Sequence, residues 1–398
     1  MSGRGAVAVE MEGRRLVLSN LDKVFYPATG FTKGDVIDYY TRVAPALLPH
    51  LRDRPLTLKR YPDGAAGPYF YEKRCPSHRP SWVKTAEVWS EHNQGVIRFC
   101  VVNDLASLVW AANMADLEMH TYLHRAPKLE RPTAAVFDLD PGAPADLVQC
   151  CEVALILRRL LDRLELASFP KASGSKGLQL YVPLHTPVGY PATKSFARAV
   201  AELLEAERPD LVVSSMKKVL RPGKVLVDWS QNDAHKTTVC VWSLRARERP
   251  TVSAPVAWRE VEAAFRARDR TRLTFDAAAA LERLEREGDG FAPVLTMRQR
   301  LPGTGALEGA LRRGARKVRG AGGVPPRGAA PPPPAGHDER RARHFPQAGI
   351  GDGGRQEPPS RQGGRGSGRR GGRPAGRGGR GPAAADDRAR GDGYFSTE

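Results

Sequence analysis

The chain has 398 residues and a formal net charge of +18, and its length allows two or three domains. It contains no apolar run of the roughly 18 residues that a membrane-spanning helix needs, and its N-terminus lacks the apolar segment of a secretory signal. We therefore expect an intracellular protein. The basic excess favours a nucleic acid or another phosphate-rich partner over an acidic small substrate.

Helices and strands alternate along the chain before residue 303. Thr32 and Asp35 have the spacing of a capping box, and apolar residues at three- and four-residue intervals follow, which predicts a helix over about residues 34–51. The other predicted elements, in chain order, are a strand in RPLTLKRYP, a helix over residues 104–119, a strand in AAVFDLDPG, a helix over residues 145–165, a strand in LQLYVPL, a helix in TKSFARAVAELLEAE and a strand in KVLVDWS. This interleaving predicts an α/β or α+β fold.

Composition changes abruptly near residue 302. Residues 303–398 contain 25 of the 40 glycines and carry 19 basic and 9 acidic side chains, a net charge of +10, which leaves +8 for residues 1–302. A segment of this kind cannot bury a core, and we predict a disordered basic tail. It is either an arm that adds nonspecific affinity for nucleic acid or the product of a shifted GC-rich reading frame, and the composition fits both.

The five cysteines are odd in number and show no CxxC spacing, which predicts reduced thiols rather than a disulfide framework. They are Cys75, Cys100, Cys150, Cys151 and Cys240. Cys75 and His78 could form half of a zinc site, but the sequence offers no clear second half.

Asp138-Leu139-Asp140 ends a predicted strand. Because side chains alternate along a strand, the two carboxylates project from one face about 6.6 Å apart. Two divalent cations roughly 3.5 to 4 Å apart need bridging carboxylate oxygens, which this spacing can supply. Asp228 lies in an apolar strand where an unpaired charge would be costly, so it is a candidate third ligand. The alternative is that each Asp ends a strand and faces water.

Ser173-Gly174-Ser175-Lys176-Gly177 precedes the strand LQLYVPL. Small residues let backbone N–H groups approach an anion, the hydroxyls can donate, and Lys176 can neutralise phosphate charge. The loop is not a Walker A motif, since the GxxxxGK[ST] spacing is absent and a strand follows it. It is either a triphosphate cradle or an ordinary flexible turn.

These motifs in this order resemble the polymerase domain of bacterial DNA ligase D, a member of the archaeo-eukaryotic primase superfamily. The resemblance rests on VFDLDPG, SGSKGL and VDWSQN, then KTT and SLRARERPT, and upstream on LSNLDKVFYP, FTKGDVIDYY, RPLTLKRYPDG, FYEK and PSHRPSW, over about residues 14–302. It implies an α+β primase-polymerase palm with a mainly antiparallel, RNA-recognition-like central sheet flanked by helices. Residues 1–302 would then comprise a 5′-phosphate-binding part (about 14–130) and a catalytic palm (about 131–302).

The resemblance also implies an activity. The protein would be a template-dependent nucleotidyltransferase that fills gaps and extends DNA ends in non-homologous end joining, using two divalent cations (Mn²⁺ or Mg²⁺) and an NTP or dNTP, with ribonucleotides preferred. We expect it to act as a stand-alone polymerase at the bacterial nucleoid in the cytoplasm. Its partners would be DNA with a gap or broken ends, a Ku-like end-binding protein and an ATP-dependent DNA ligase supplied in trans.

Residue roles follow from the same resemblance. Metal ligation is implied for Asp138, Asp140 and Asp228. Nucleotide binding is implied for Ser173, Ser175, Lys176, Gln179, His120, Arg221 and Arg245. The DNA 5′-phosphate would contact Asn20, Lys23 and Lys33, and the template would contact Lys59, Arg60, Phe70 and Tyr71, the last two by stacking on a base.

Some of these positions have simpler explanations. Asn20, Lys23 and Lys33 could be solvated surface residues, Phe70 and Tyr71 could belong to a core, and His120 could be exposed at a helix end. The family usually has histidine where this chain has Gln179. Glutamine can donate a hydrogen bond but cannot carry a proton near neutrality, so we expect lower nucleotide affinity or turnover.

Two other functions compete with this interpretation. A DxD glycosyltransferase would also bind a metal and a nucleotide diphosphate, but it leaves Asp228 and the phosphate-binding lysines unexplained. A non-enzymatic nucleic-acid-binding protein would work through the Gly/Arg-rich tail.

Overall fold

The computed structural model describes residues 5–91 and 93–303. The predicted tail, beyond residue 303, lies outside the described residues. The helices are α1 (Lys33–Leu51), α2 (Leu105–Asn113), α3 (Leu147–Arg163), α4 (Tyr190–Glu207), α5 (Trp258–Ala267) and α6 (Ala277–Glu287). Short 3₁₀ helices cover Lys218–Leu220, Trp229–Gln231, Arg270–Leu273 and Ala292–Leu295. In the described part, no helix is both long and apolar enough to cross a membrane.

The strands are short and form two main sheets and several two-stranded ribbons. They are β1 (Val7–Met11), β2 (Arg14–Leu18), β3 (Val24–Tyr26), β4 (Phe31–Thr32), β5 (Leu56–Arg60), β6 (Phe70–Glu72), β7 (Lys84–Ser90), β8 (Gly95–Val101), β9 (Asp116–Thr121), β10 (His124–Arg125), β11 (Lys128–Pro132), β12 (Ala134–Pro141), β13 (Phe169–Ala172), β14 (Leu178–Pro183), β15 (Val212–Val213), β16 (Val225–Asp228), β17 (Thr238–Val239), β18 (Leu244–Ala246) and β19 (Pro250–Val252).

Sheet A has the strand order β13-β14-β12-β16-β15, and all its pairs are antiparallel except β15–β16. Along β12, Ala135, Phe137 and Leu139 are fully buried in a core shared with α3 and α4. Because strand side chains alternate, Asp138 and Asp140 project from the opposite face. Sheet A therefore has one apolar face under helices and one face that presents carboxylates.

Sheet B has the order β17-β9-β5-β8-β7, with β6 paired to β5. Its core includes the apolar faces of α1 and α2. The predicted capping box of α1 is confirmed, since the Thr32 hydroxyl accepts from the Asp35 N–H and the Asp35 carboxylate accepts from the Thr32 N–H. The α+β prediction, with mainly antiparallel sheets flanked by helices, is also confirmed.

Two predictions were wrong. The helix predicted over residues 104–119 ends at Asn113, because the backbone turns at Ala115 (φ 63°) and the chain continues as β9, paired with β5. His120 consequently lies on a strand and not at a helix end. Cys75 and Cys100 form a disulfide with a Cα–Cα distance of 4.9 Å. Reduced thiols were expected at both positions, and a bonded Cys75 cannot serve as half of a zinc site.

Candidate active site

Two of the predicted carboxylates face each other across adjacent strands of sheet A. Asp138 on β12 lies directly opposite Asp228 on β16, and Asp140 follows two residues later on the same face. Asp228 is 3% exposed, so it does not simply end a strand in water. Its carboxylate accepts hydrogen bonds from the Ser230 N–H and hydroxyl and from the Gln231 amide at 3.2 Å. Strand register therefore brings the three carboxylates to one region of one face.

Two cations hold the Asp140 carboxylate. Lys176 Nζ lies 3.1 Å from one oxygen and Arg221 lies 3.5 Å from the other. Among residues 5–91 and 93–303, no group of three His, Cys, Asp or Glu side chains is arranged closely enough to hold a metal ion. Asp140 thus shares a face with Asp138 and Asp228 while its oxygens are paired with positive side chains. A metal would have to compete with Lys176 and Arg221 for this carboxylate.

The oxygens on this face suit a hard divalent cation. Carboxylate and amide oxygens are the donors that Mg²⁺ and Mn²⁺ prefer. The buried side-chain oxygens of Gln179 and Gln231 have no hydrogen-bond partner within the described chain, and each amide donates to one of the carboxylates, Asp138 or Asp228. Carboxylates with two unused amide oxygens beside them fit divalent metal binding.

The pKa of Asp138 is raised to about 7. Burial is the main cause, and the negative charges of Asp228 and Asp140 add to it, while a hydrogen bond from Gln179 opposes the shift. Like charges held close together disfavour ionisation until a cation neutralises them. A bound cation would therefore favour the ionised form of Asp138.

A polar row crosses sheet A at this level. Gln179 on β14 pairs with Asp138 on one side and with Lys171 on β13 on the other, and it donates a 3.0 Å hydrogen bond to Asp138. Lys171 is fully buried and donates to the Ser253 hydroxyl at 2.7 Å. Burial lowers the pKa of Lys171 to about 7. Sequence reasoning missed this residue, although its position two residues before Ser173 on a strand was a usable signal.

The loop before β14 is built around the Ser173 hydroxyl, which accepts from the backbone N–H groups of Ser175 and Gly177, both at 3.2 Å. Arg245 is buried and donates to the Ser173 carbonyl at 2.7 Å. The backbone is closely packed, since a Cβ on Gly177 would lie 2.2 Å from the Leu139 carbonyl oxygen. The predicted cradle is thus a turn held in place by hydrogen bonds, and the side chain of Lys176 in this turn is half exposed.

A buried carboxylate that sequence reasoning missed lies on sheet B. Glu118 on β9 is 1% exposed. It pairs with two predicted site residues on sheet B, at 3.2 Å from Lys59 and 3.1 Å from His120, and with Arg245 at 3.2 Å. Although burial alone would raise it, these partners, Arg245 foremost, hold the pKa of Glu118 well below its usual value. The period-2 pattern around Leu117 and Met119 could have identified the strand.

The predicted template residues lie on two paired strands, β5 and β6. Arg60 pairs with Phe70 across these strands, and its guanidinium lies 5.2 Å from the Phe70 ring centre. Phe70 is 44% exposed, so it does not belong to a core. Lys59, paired with Tyr71, is buried and contacts Glu118, so it does not present its charge at the surface.

The three predicted 5′-phosphate residues are brought together by the β3–β4 turn. The Lys33 N–H donates to the Lys23 carbonyl at 2.8 Å, and the Lys23 N–H donates to the Asn20 carbonyl at 3.0 Å. Lys33 Nζ donates to the Ser19 carbonyl at 2.7 Å. Burial, together with the charge of Lys23, lowers the pKa of Lys33 to about 8. Backbone hydrogen bonds therefore link the three residues, Asn20 is exposed, and the Lys23 ammonium pairs with the Asp63 carboxylate at 2.9 Å.

Comparison with known proteins assigns the family. The family model for the LigD primase-polymerase domain matches residues 32–291. The chain belongs to this family. Members of this family are DNA-repair polymerases of the nucleotidyltransferase class, which use nucleotide substrates and divalent metals. Membership in the family decides against the glycosyltransferase interpretation.

Relatives of this LigD polymerase domain are found in several bacteria. The chain is 43% identical over 282 residues to the multifunctional non-homologous end joining protein LigD of Mycolicibacterium smegmatis, covering 70% of this chain and 36% of that protein. It is 32% identical over 278 residues to the bifunctional LigD of Bacillus subtilis, covering 70% of this chain and 44% of that protein. The chain thus spans less than half the length of these relatives.

A solved structure supports the same assignment. The polymerase domain of Mycobacterium tuberculosis ligase D, in complex with DNA, matches with a TM-score of 0.66 and 40% sequence identity. The match covers 72% of this chain and 99% of that one. The similarity therefore extends over nearly the whole of a LigD polymerase domain.

Proposed function

We propose that this chain fills gaps and extends DNA ends during non-homologous end joining, by template-directed transfer of nucleotides to a primer 3′-hydroxyl. The observation that carries the proposal is the register of Asp138 against Asp228, with Asp140 on the same face beside Lys176 and Arg221. Carboxylates for cations, next to basic groups for phosphates, are what nucleotidyl transfer requires.

The side chains divide the work as follows. Asp138, Asp140 and Asp228 would hold two divalent cations, Mn²⁺ or Mg²⁺, which supply activation of the 3′-hydroxyl and charge stabilisation of the leaving pyrophosphate. Lys176 and Arg221, which pair with Asp140 in the metal-free site, would bind the triphosphate when that carboxylate is occupied by a metal. In the same assignment, Ser173, Ser175, Gln179, His120 and Arg245 complete the nucleotide side.

DNA contacts belong to the N-terminal part. Lys23, Lys33 and Asn20 would hold the 5′-phosphate at the far side of a gap, since two ammonium groups and an amide can bind a dianion. Phe70 is exposed beside Arg60 and would stack on a template base. A Ku-like end-binding protein and an ATP-dependent DNA ligase would act with the polymerase.

Primer extension on a gapped duplex with a recessed 5′-phosphate tests this function, with Mn²⁺ or Mg²⁺ and with NTPs or dNTPs. We expect Asp138→Asn and Asp228→Asn to reduce incorporation about 100-fold or more, the loss of several kcal/mol of metal-based stabilisation. Asp38→Asn, an exposed position on α1, is the matched control and should retain activity. Failure of the unaltered protein to incorporate with either metal overturns the proposal.

A second experiment addresses the alternative of a binding protein that works through its tail. Deletion of residues 303–398 should leave incorporation at low salt intact and weaken DNA binding in a salt-dependent way. If deletion abolishes all function while Asp228→Asn does not, the binding interpretation is the better one.

A further inference from the structure

We propose that Glu118 is a positioning residue that couples the template side of the site to its triphosphate side. The inference rests on the proposed function and adds a residue to it. Glu118 lies at the centre of β9, directly opposite Lys59 on β5, and is 1% exposed. A carboxylate so completely removed from water is stable only with close charged or hydrogen-bonding partners.

The partners of Glu118 come from both sides of the site. One oxygen, Oε2, lies 3.2 Å from Lys59 Nζ, 3.1 Å from His120 Nε2 and 3.2 Å from Arg245 Nε. The other, Oε1, accepts from the Tyr61 hydroxyl at 3.2 Å and from the Ala246 N–H at 3.0 Å. Oε2 thus contacts three side chains, of which one is proposed to lie on the template side and two are proposed to bind the nucleotide.

Lys59 leads from Glu118 to the template side. Its ammonium lies within 4.5 to 5.6 Å of the ring centres of Tyr61, Tyr69 and Tyr71, a distance at which cations are attracted to aromatic faces. Tyr71 is its cross-strand neighbour on β6, next to Phe70. The position of Lys59 therefore sets the arrangement of the tyrosine rings beside the proposed stacking residue.

Arg245 leads from Glu118 to the triphosphate side. It is 1% exposed, and its NH1 group donates to the Ser173 carbonyl at 2.7 Å, in the loop that carries Lys176. The bond from Ala246 to Glu118 fixes the strand that carries Arg245. His120, the third partner, also contacts the Tyr71 ring edge at 6.1 Å between ring centres. The Glu118 carboxylate therefore connects the β5–β6 strand pair, His120 and the loop at residues 173–177, which we call the phosphate loop.

Charge explains why the coupling should be strong. Without the negative charge of Glu118, two buried cations, Lys59 and Arg245, would repel each other in a poorly solvated region. If Lys59 moved away, the tyrosine rings packed around it would have to shift. If Arg245 moved away, the turn at Ser173 would have to shift. A change on the template side is thereby transmitted to the triphosphate side through Glu118.

The test is a double-mutant cycle of Glu118→Gln and Lys59→Met, with kcat and the KM for the incoming triphosphate measured on a gapped duplex. We expect Glu118→Gln to raise this KM about tenfold, with a smaller change in kcat. The reason is that Glu118 contacts residues proposed to bind the nucleotide and does not contact the three proposed metal-binding aspartates. Lys59→Met alone, although remote from the phosphate loop, should raise the same KM several-fold. In the Glu118→Gln background its effect should disappear.

Asp289→Asn is the matched control, because Asp289 is a partly buried carboxylate outside the proposed site, paired with His50 at 2.8 Å and Trp242 at 3.0 Å. It should lower the melting temperature without changing the KM. Multiplicative effects of the two variants, or an unchanged KM in Glu118→Gln, overturn the inference. If Glu118→Gln does not fold, Lys59→Met decides by itself, since an unchanged KM for the triphosphate overturns the coupling.

The proposed function can fail separately. If the unaltered protein incorporates no nucleotide, the polymerase proposal is wrong, and the same variants are then compared by their dissociation constants for ATP with Mn²⁺. A tenfold larger dissociation constant for Glu118→Gln, with that of Asp289→Asn unchanged, still supports the positioning role. Equal constants in all variants overturn it.

Discussion

Gln179 donates a 3.0 Å hydrogen bond to Asp138 across the β12–β14 pair, at the position where the sequence resemblance implies a histidine. This bond favours the ionised carboxylate and so opposes the rise in the pKa of Asp138 that burial causes. Glutamine thus keeps one task that a histidine could perform, which is to donate to the carboxylate that we propose binds metal, while it contributes no charge of its own.

Replacing Gln179 tests whether the hydrogen bond to Asp138 or the missing positive charge matters more. Gln179→Leu removes a hydrogen bond to a charged group, worth about 1.5–3 kcal/mol, and should weaken Mn²⁺ binding about tenfold or more. Gln179→His should keep the metal affinity and raise kcat/KM for the triphosphate. Titration calorimetry and single-nucleotide incorporation measure the two effects, with exposed Gln94→Leu as control. Equal metal affinity in Gln179→Leu and the unaltered protein contradicts this account.

The raised pKa of Asp138, about 7, predicts a pH dependence of metal binding. Below pH 7 the metal-free carboxyl is protonated, and a cation must displace that proton. The apparent affinity for Mn²⁺ should therefore fall as the pH drops from 7 to 5.5 and level off above 8. Calorimetry in buffers of different ionisation enthalpy should detect a proton released at pH 6 and none at pH 8. No proton release at pH 6 contradicts the prediction.

The raised pKa of Asp138 also predicts how the stability of the metal-free protein depends on pH. A folded-state pKa above the unfolded value contributes stability that is present below about pH 4 and is lost as the pH rises through 7. Asp138→Asn should abolish this contribution, so its stability relative to the unaltered protein should rise between pH 5 and 8 in urea unfolding. Asp162→Asn, an exposed position on α3, should show no such trend.

Strand periodicity explains what the sequence could predict of the site. The i, i+2 spacing of Asp138 and Asp140 places both on one face of a strand whatever its neighbours, and the apolar context of Asp228 marks it as buried. The pairing of Asp228 with Asp138 could not be read this way, because it depends on which strands become neighbours in sheet A. The resemblance to a family supplied that link.

Residues that act through tertiary contacts escaped prediction. The apolar spacing of α2 continues through Ala115 and so predicts a helix that includes Glu118, whereas the left-handed backbone of Ala115 ends the helix before it. Lys171 looked like an ordinary basic residue, and only the packing of Ser253 against β13 shows that it is buried. Local patterns report periodicity, whereas these positions depend on partners more than 80 residues away.

The lowered pKa of Lys33, about 8, predicts how 5′-phosphate recognition varies with pH. Because Lys33 loses its proton as the pH rises through 8, the preference for a recessed 5′-phosphate over a 5′-hydroxyl should be smaller at pH 9 than at pH 7. Removing the neighbouring charge in Lys23→Gln should move this transition to higher pH. Fluorescence anisotropy with paired gapped duplexes measures the preference at each pH.

Lys33→Gln should reduce the preference about tenfold at pH 7, the loss of one charge-assisted contact of about 1.4 kcal/mol. Lys128→Gln, on β11, removes the same charge away from the β3–β4 turn and should weaken both duplexes equally. An undiminished preference in Lys33→Gln would remove this lysine from phosphate recognition.

Close packing of the phosphate loop predicts that Gly177 cannot be replaced even by alanine. Its added Cβ would lie 2.2 Å from the Leu139 carbonyl oxygen, a backbone atom that cannot move without shifting Asp138 and Asp140. Overpacking of this kind typically costs about 1–3 kcal/mol. Gly177→Ala should therefore lower both the unfolding free energy and incorporation. Gly95→Ala, whose Cβ would meet nothing closer than 3.6 Å, should leave both unchanged. Full activity in Gly177→Ala would mean that the loop and the carboxylate strand are not rigidly connected.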